Sequence, residues 1–321
     1  MKMKILAIKN RMGIGDMVIF LPFIEAISKK FNTPISILVK ENSKALEYLE
    51  ENQYIEKILI LERNKNSSHH DGIFGSLNLA NELKKYNFEK VFIFNSSLRF
   101  YLICKVAGIK KIFQYPLFQK KNQHLINAAK NFIKKELDMD VKSQPKIDLK
   151  NSLIESAKEK YMIKPDQINI LLGIGGSGPT KRIPAKKFLS FMKMANKNYD
   201  CKYFLATGTN EEEQSILNEI LNSEFKQKCI PLDKINIKDS LPIIKNCNLA
   251  VCNDSSFSHL SAALDIPTIV LISDAPLMYA SYSPNMYPII PDGEVTVTHS
   301  TNGKEKINPE KIFKKFQEII N

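Results

Sequence analysis

The chain contains no Cys-x-x-Cys pair, and its five cysteines, Cys104, Cys201, Cys229, Cys247 and Cys252, are odd in number. Such spacing suggests neither a disulfide framework nor a zinc site, and a reducing, cytoplasmic setting is expected. No run of about 18 apolar residues occurs, so no segment is expected to span a membrane. The apolar start of the chain is cut off at Lys9 and Asn10, too early for a signal peptide. Zinc-finger spacing and aromatic RNA-binding motifs are also missing. The 46 Lys and Arg residues are scattered through Lys- and Asn-rich segments and form no single basic block. A formal charge of +12 distributed in this way suits an anionic substrate or a membrane surface bearing anionic lipid, and no nucleic-acid partner is expected. A basic, solvated surface without a partner is the plainer alternative.

What is present is a regular alternation of apolar strands and helices over 321 residues. That length is natural for two domains of about 150 residues each. In the first half, strands are expected at 4–8, 34–39, 57–61, 90–94 and 112–115, with helices at 17–31, 43–50, 77–86, 98–107 and 124–135. The stretch 64–72 is polar and turn-rich and reads as a loop. Its adjacent His69 and His70 invite a metal hypothesis, but adjacent side chains point apart and no carboxylate or thiol cluster lies nearby in sequence, so no metal is expected. The polar, aperiodic residues 136–144 mark a domain boundary ending at Pro145. The second half repeats the alternation: helices at 153–161, 185–196, 210–221, 237–245 and 309–320, and strands at 168–173, 202–206 and 228–230. Alternation of this kind produces right-handed βαβ units and parallel sheets, hence an α/β fold of two tandem, Rossmann-like domains, 1–145 and 146–321.

The most informative stretch is 249–272, which reads as strand, turn, small-residue helix and strand. Asn253 and Asp254 close the apolar run, and Ser255 and Ser256 open the helix, with His259 one turn in. A helix N-terminus offers unpaired N–H groups and a positive dipole end, which attract phosphate. An N-cap without a ligand is the alternative. Gly173-Ile-Gly-Gly-Ser-Gly178 matches G-x-G-x-x-G after a strand, yet a dinucleotide fingerprint needs the helix to start within the motif. Here Pro179-Thr-Lys-Arg-Ile-Pro184 intervenes, and Pro184 is expected to open the helix. The glycine-rich turn followed by Lys181 and Arg182 reads instead as a pyrophosphate clamp.

Together these motifs resemble the heptosyltransferase-like glycosyltransferases, the family of ADP-heptose:lipopolysaccharide heptosyltransferases. Its signature Asp-Thr-Gly-x-x-His-x-x-Ala-Ala-x-x-x-x-Pro-Thr is matched by Asp254, Ser255, Ser256, His259, Ala262, Ala263, Pro267 and Thr268. Ser255 keeps the hydroxyl of Thr, whereas Ser256 puts a side chain where the family has Gly. Lys181-Arg-Ile-Pro184 resembles the family's Lys before Trp-Pro, with Ile183 in place of Trp. The resemblance implies the GT-B architecture, two Rossmann-like domains facing each other across a cleft. It implies a donor diphosphate on Gly176, Ser177, Thr180, Lys181, Asp254, Ser255, Ser256 and His259, ribose hydroxyls on Glu212, and adenine over Ile235. In the first three-glutamate turn of that helix, Glu211 to Glu213, the register is open.

In the N-terminal half, Gly15-Asp-Met-Val-Ile-Phe-Leu-Pro22 resembles the family's Gly-Asp-x-x-x-x-x-Pro, which implies that Asp16 is the general base. An N-cap for the first helix is the other reading of Asp16. Gly15, Arg99 and His124 are the candidate acceptor contacts, although a surface salt bridge would account for Arg99 equally well. The expected function is inverting transfer of a sugar, heptose from ADP-heptose, to a lipopolysaccharide-type or other cell-surface glycan acceptor, with no cofactor. The acceptor is expected to be an anionic or lipid-linked glycan, with peripheral contact at the cytoplasmic membrane face left open. An epimerase-like nucleotide-sugar enzyme and an inactive nucleotide- or glycan-binding module are the alternatives.

Overall fold

The computed structural model describes residues 2–10, 13–63, 69–116 and 125–321. The chain divides into two compact units, Met1–Pro145 and Lys146–Asn321.

In the first unit, chain order runs β1 (Ile5–Lys9), α1 (Ile14–Phe31), β2 (Ile35–Lys40), α2 (Ala45–Tyr48), β3 (Ile55–Leu61), α3 (Gly72–Lys84), β4 (Lys90–Ile93), α4 (Leu98–Val106), β5 (Lys111–Gln114) and α5 (Leu125–Leu137). All strands pair in parallel, in the order β3-β2-β1-β4-β5. β1 is therefore central, and its five residues are all buried. A strand buried on both faces needs an unbroken apolar run, which Ile5-Leu-Ala-Ile supplies. Leu6 and Ile8 project to the side covered by α3 and α4, where they meet Leu79, Leu83, Phe100, Ile103 and Cys104. On the α1 and α5 side, Phe20 and Phe132 close edge-on against Phe94, with ring centroids 5.2 and 5.3 Å apart.

The second unit runs α6 (Asn151–Lys160), β6 (Ile168–Gly173), α7 (Ala185–Asn196), β7 (Cys201–Ala206), α8 (Glu211–Leu221), β8 (Cys229–Pro231), α9 (Ile237–Lys245), β9 (Leu249–Asn253), α10 (Ser256–Ala263), β10 (Thr268–Leu271), β11 (Met286–Ile289) and α11 (Pro309–Ile320). Its sheet is parallel throughout, ordered β11-β10-β9-β6-β7-β8. The terminal helix α11 starts with Pro309 after the side-chain cap of Asn308 and packs Ile312 and Phe316 into the core beside α7. Cys247 and Cys252 are buried, and burial pushes the Cys252 thiol up to about 12. They are packing residues, unreactive near neutral pH.

Several elements differ from the sequence reading, each for a local reason. The helix expected at 43–50 shrinks to Ala45–Tyr48 because Lys44 turns left-handed, at φ 53°. α3 begins at Gly72, five residues earlier than expected, so the loop read at 64–72 ends at Asp71, and residues 64–68 of it lie outside the described residues. Pro184 takes the N-cap position, with ψ at 145°, so Ala185 and not Pro184 is the first residue of α7. β11 was not foreseen, because Pro288 interrupts its apolar run. It lies at the sheet edge, where a residue without an N–H is tolerated.

Candidate functional site

Open parallel sheets bind ligands at the carboxyl ends of strands where the strand order reverses. In the second unit the reversal falls between β6 and β9, which pair along Ile170↔Leu249 to Gly173↔Cys252. The glycine loop leaves β6 there, and Asn253-Asp-Ser-Ser leaves β9 beside it. Asn253 is fully buried and binds the two segments together: its Nδ2 donates to the carbonyls of Ile174 and Gly175, at 2.8 and 3.2 Å.

The two residues singled out for the donor phosphates meet directly. Lys181 Nζ lies 2.5 Å from Asp254 Oδ2, although 73 positions separate them, and Asp254 is only 6% exposed. Lys181 sits in a 3-10 turn, Pro179–Lys181, that is fixed from below. Ser273 Oγ donates to the carbonyl of Thr180 at 2.9 Å. Asp274 anchors the same turn: burial alone would raise its carboxyl, but hydrogen bonds from the Thr180 hydroxyl and the Asn302 and Thr301 N–H groups hold it below the usual carboxylate range. The Lys181 ammonium is thereby fixed by Asp254 at the entrance of α10.

α10 begins without a side-chain cap. Ser255, its N-cap residue, is extended at φ −146°, and its buried Oγ has no hydrogen-bond partner. Unpaired N–H groups in the first turn of a helix attract an anion. Ser256 is the first helical residue, and its φ is not positive. Its side chain consequently costs no backbone strain, whatever close approach the family's Gly permits. His259 is buried, with Nδ1 2.9 Å from the Tyr282 hydroxyl and the two rings stacked at 5.6 Å. Burial raises the Tyr282 hydroxyl, and the Asp254 carboxylate raises it further. Tyr282 therefore belongs to this cluster, and nothing in its sequence neighbourhood marked it.

The acid that shapes the glycine loop is Glu213. Glu212, the residue assigned to ribose, is exposed and ion-paired with Arg182. Glu213 is buried: its Oε1 accepts the Gly176 N–H at 2.8 Å, its Oε2 accepts from the Asn210 amide, and its own N–H returns to Asn210 Oδ1 at 3.1 Å. This is a reciprocal cap of the start of α8. It also explains two glycines. A Cβ on Gly175 would lie 2.5 Å from Glu213 Oε1, and one on Gly208 would collide with Oε2. Gly176 is further clamped by Arg182, whose Nε donates to its carbonyl at 3.0 Å. Ser177 is exposed next to it, and Ile235 is half-buried in the turn after β8, its N–H donating to Leu232.

Replacing Glu213 with Ala should remove charge-assisted hydrogen bonds of about 1.5–3 kcal/mol and lower the melting temperature by roughly 4–10 °C. Glu212→Ala should change stability by no more than about 0.5 kcal/mol. Thermal unfolding of the two variants decides which glutamate supports the loop.

In the first unit the strand order reverses between β1 and β4. Asn95 Nδ2 bridges that point to Asn10 Oδ1 at 3.2 Å, and Lys9, also at the end of β1, is buried over the Phe20 ring at 3.9 Å. Gly15 and Asp16 follow in the first turn of α1, both half-buried. The cap position belongs to Gly13, and the helix has no side-chain cap bond, so Asp16 is not the N-cap. A first-turn acid is favoured by the helix dipole. Arg99 is held between two helices. Its Nε donates to Ser76 Oγ at 2.8 Å and its Nη2 to the His70 carbonyl, so it ties α4 to the start of α3. His124 lies outside the described residues.

The histidine pair has a carboxylate after all, from α3. Glu82 reaches His69 Nε2 at 3.0 Å and His70 Nε2 at 3.1 Å, and the three could surround a cation. Hydrogen bonding argues otherwise for His70. Its Nδ1 accepts the Glu62 N–H at 3.0 Å, which puts the ring proton on Nε2, facing Glu82. A metal-ligating histidine instead donates from its second nitrogen.

Each unit is a doubly wound parallel sheet, and the second carries a lysine and an uncapped helix terminus at its switch point. The model of Glycosyltransferase family 9 (heptosyltransferase) matches residues 78–317, and the chain belongs to that family. Lipopolysaccharide heptosyltransferase 1 of Campylobacter coli is 27% identical over 138 residues, a match covering 42% of this chain and 40% of that one. The chain thus aligns with less than half the length of this relative. Among solved structures, a family 9 glycosyl transferase of Veillonella parvula superposes with TM-score 0.78 at 18% identity, covering 99% of this chain and 97% of the other. The ADP-heptose lps heptosyltransferase II of E. coli has TM-score 0.75 at 18% identity, covering 99% and 98%. These likenesses establish the GT-B fold.

Proposed function

We propose that the protein is an inverting glycosyltransferase that moves a sugar from a nucleoside-diphosphate donor, ADP-heptose, to a lipopolysaccharide-type glycan acceptor. The observation that carries this reading is the Lys181–Asp254 pair at the uncapped start of α10. An ammonium and a helix terminus aimed at one place can neutralise a departing diphosphate without a metal. Ser255 Oγ, buried and unpartnered, is an additional donor for that phosphate. Gly176 offers the close approach, and Ser177, Thr180 and His259 belong to the same loop, turn and helix. Glu212 or its neighbour Glu213 faces the ribose side, and Ile235 the base. Family membership supports the reaction class, and the names of its relatives support heptose and the lipopolysaccharide acceptor.

In the chemical step the acceptor hydroxyl oxygen forms a bond to the anomeric carbon while the bond from that carbon to the diphosphate oxygen breaks. Asp16 takes the hydroxyl proton, and ADP departs with the electron pair. Attack from the face opposite the leaving group inverts the anomeric configuration. Gly15 and the adjoining end of β1, with Arg99 and His124, form the acceptor side of the proposal.

The donor assignment is tested by thermal unfolding in parallel with ADP, UDP, GDP, CDP and NAD. A ligand present at about 100 times its dissociation constant adds roughly 2.7 kcal/mol, several degrees for units of this size. A shift with ADP alone supports the donor assigned here. A shift with UDP or GDP alone changes the donor, and no shift with any diphosphate removes the reading.

A further inference from the structure

We propose that the outer face of α3 and α4 is a docking surface for an anionic lipid bilayer. Each helix already spends one face on the sheet: Leu79 and Leu83 of α3, and Phe100, Ile103 and Cys104 of α4, are buried in the core. A second apolar face has no task in the fold. Nevertheless Ile73 and Phe74 are 80% and 83% exposed, and Leu77, Leu98, Leu102 and Val106 are each about half exposed. Leu98, Leu102 and Val106 recur at one-turn spacing and form a single stripe along α4, while Phe74 and Leu77 do the same at the start of α3. The two stripes adjoin. The two helices pack side by side, and Arg99 of α4 donates to Ser76 of α3 next to Leu77 and Leu98, at the end of the pair where both stripes begin. Contiguous exposed apolar surface of this kind marks an interaction site.

Charge selects the occupant. Lys84, Lys85, Lys105 and Lys110 are exposed on or next to these two helices. α4 contains no carboxylate, and the single one in α3, Glu82, is turned to His69 and His70. A second copy of the chain would bring the same lysines to the contact. An apolar strip rimmed by lysines matches the boundary between acyl chains and anionic headgroups, with lysine stems lying along the apolar surface and ammonium groups at the phosphates. The six apolar side chains enter the headgroup region, and the helices lie flat on the membrane. This surface is separate from the donor site of the second unit and stands or falls independently of it.

The chain has no tryptophan, so Phe74→Trp provides a single fluorescent probe at the centre of the face. Phosphatidylcholine vesicles containing phosphatidylglycerol should shift its emission to the blue at low ionic strength. Pure phosphatidylcholine should not, and high salt should abolish the shift. Adding Leu98→Ser and Leu102→Ser should weaken partitioning about tenfold or more without changing the melting temperature. The proposal is overturned by an unshifted emission with anionic vesicles, by an equal shift with neutral ones, or by undiminished binding of the serine variant. It is equally overturned if the native chain self-associates in the absence of lipid and the serine substitutions abolish that association. If the serine variant fails to fold, the Phe74→Trp readout decides alone. The ADP-dependent unfolding shift, measured on the same protein, shows separately whether the donor assignment survives.

Discussion

Replacing Asp16 with Asn should lower sugar transfer about 10²- to 10⁴-fold, the usual contribution of a general base, and leave the ADP-dependent unfolding shift intact. The reason is chemical and local. A sugar hydroxyl is a poor nucleophile, and the substitution removes only the group that accepts its proton. Asp16 is half-buried in the first turn of α1, with the cap position occupied by Gly13, so it carries no capping bond whose loss would confuse the result. Asn keeps the volume and the position. A melting temperature close to that of the native chain is therefore expected, and kcat should fall with little change in the donor's KM. Activity that survives the substitution would assign the proton to another acceptor and return Asp16 to the role of a first-turn acid favoured by the helix dipole.

The second large effect concerns Lys181 and Asp254. Removing one partner of a buried pair costs about 3–5 kcal/mol, because the remaining charge is left without compensation. Lys181→Met would leave the Asp254 carboxylate, 6% exposed, unpaired at 2.5 Å from the former ammonium position. Because Lys181 is itself 22% exposed, the lower end of that range is expected. At about 3 kcal/mol the melting temperature drops by roughly 6–12 °C. Exchanging both, as Lys181→Met with Asp254→Leu, should restore much of the stability, since well-packed apolar pairs often replace buried ion pairs without loss. The double variant should nevertheless show no ADP-dependent shift. Stability and donor binding would then part company, which a merely structural ion pair would not produce. Thermal unfolding of the single and double variants, with and without ADP, contains the whole comparison.

The fold was legible because local signals and long-range packing agree over most of the chain. β6, α7, α9 and α11 have the same bounds in the sequence reading and in the structure, at 168–173, 185–196, 237–245 and 309–320. Asn236 and Asn308 cap the latter two helices by side chain, so their starts are encoded within a few residues. The site was legible in part. The start of α10 and Lys181 were marked by small residues, glycines and charge, but the direct pairing of Lys181 with Asp254 joins residues 73 positions apart. Glu212 and Glu213 are indistinguishable by type and helical position. Only the approach of Gly175 and Gly208 shows which carboxylate is inside. Tyr282, Ser273 and Asp274 come from loops after β10 with no local motif, and they reach the site by tertiary contact alone. Likewise the carboxylate beside His69 and His70 comes from Glu82, on the far end of α3, beyond the reach of a reading by adjacent residues.

The most direct test incubates the purified chain with ADP-heptose and a truncated lipopolysaccharide core acceptor, following acceptor mass and ADP release together. The native chain should add one heptose per ADP released, with inverted anomeric configuration, and the Asp16→Asn protein should form far less product. ADP release without acceptor modification, or product formed equally well by both proteins, would contradict the assignment of this chain as a transferase using Asp16.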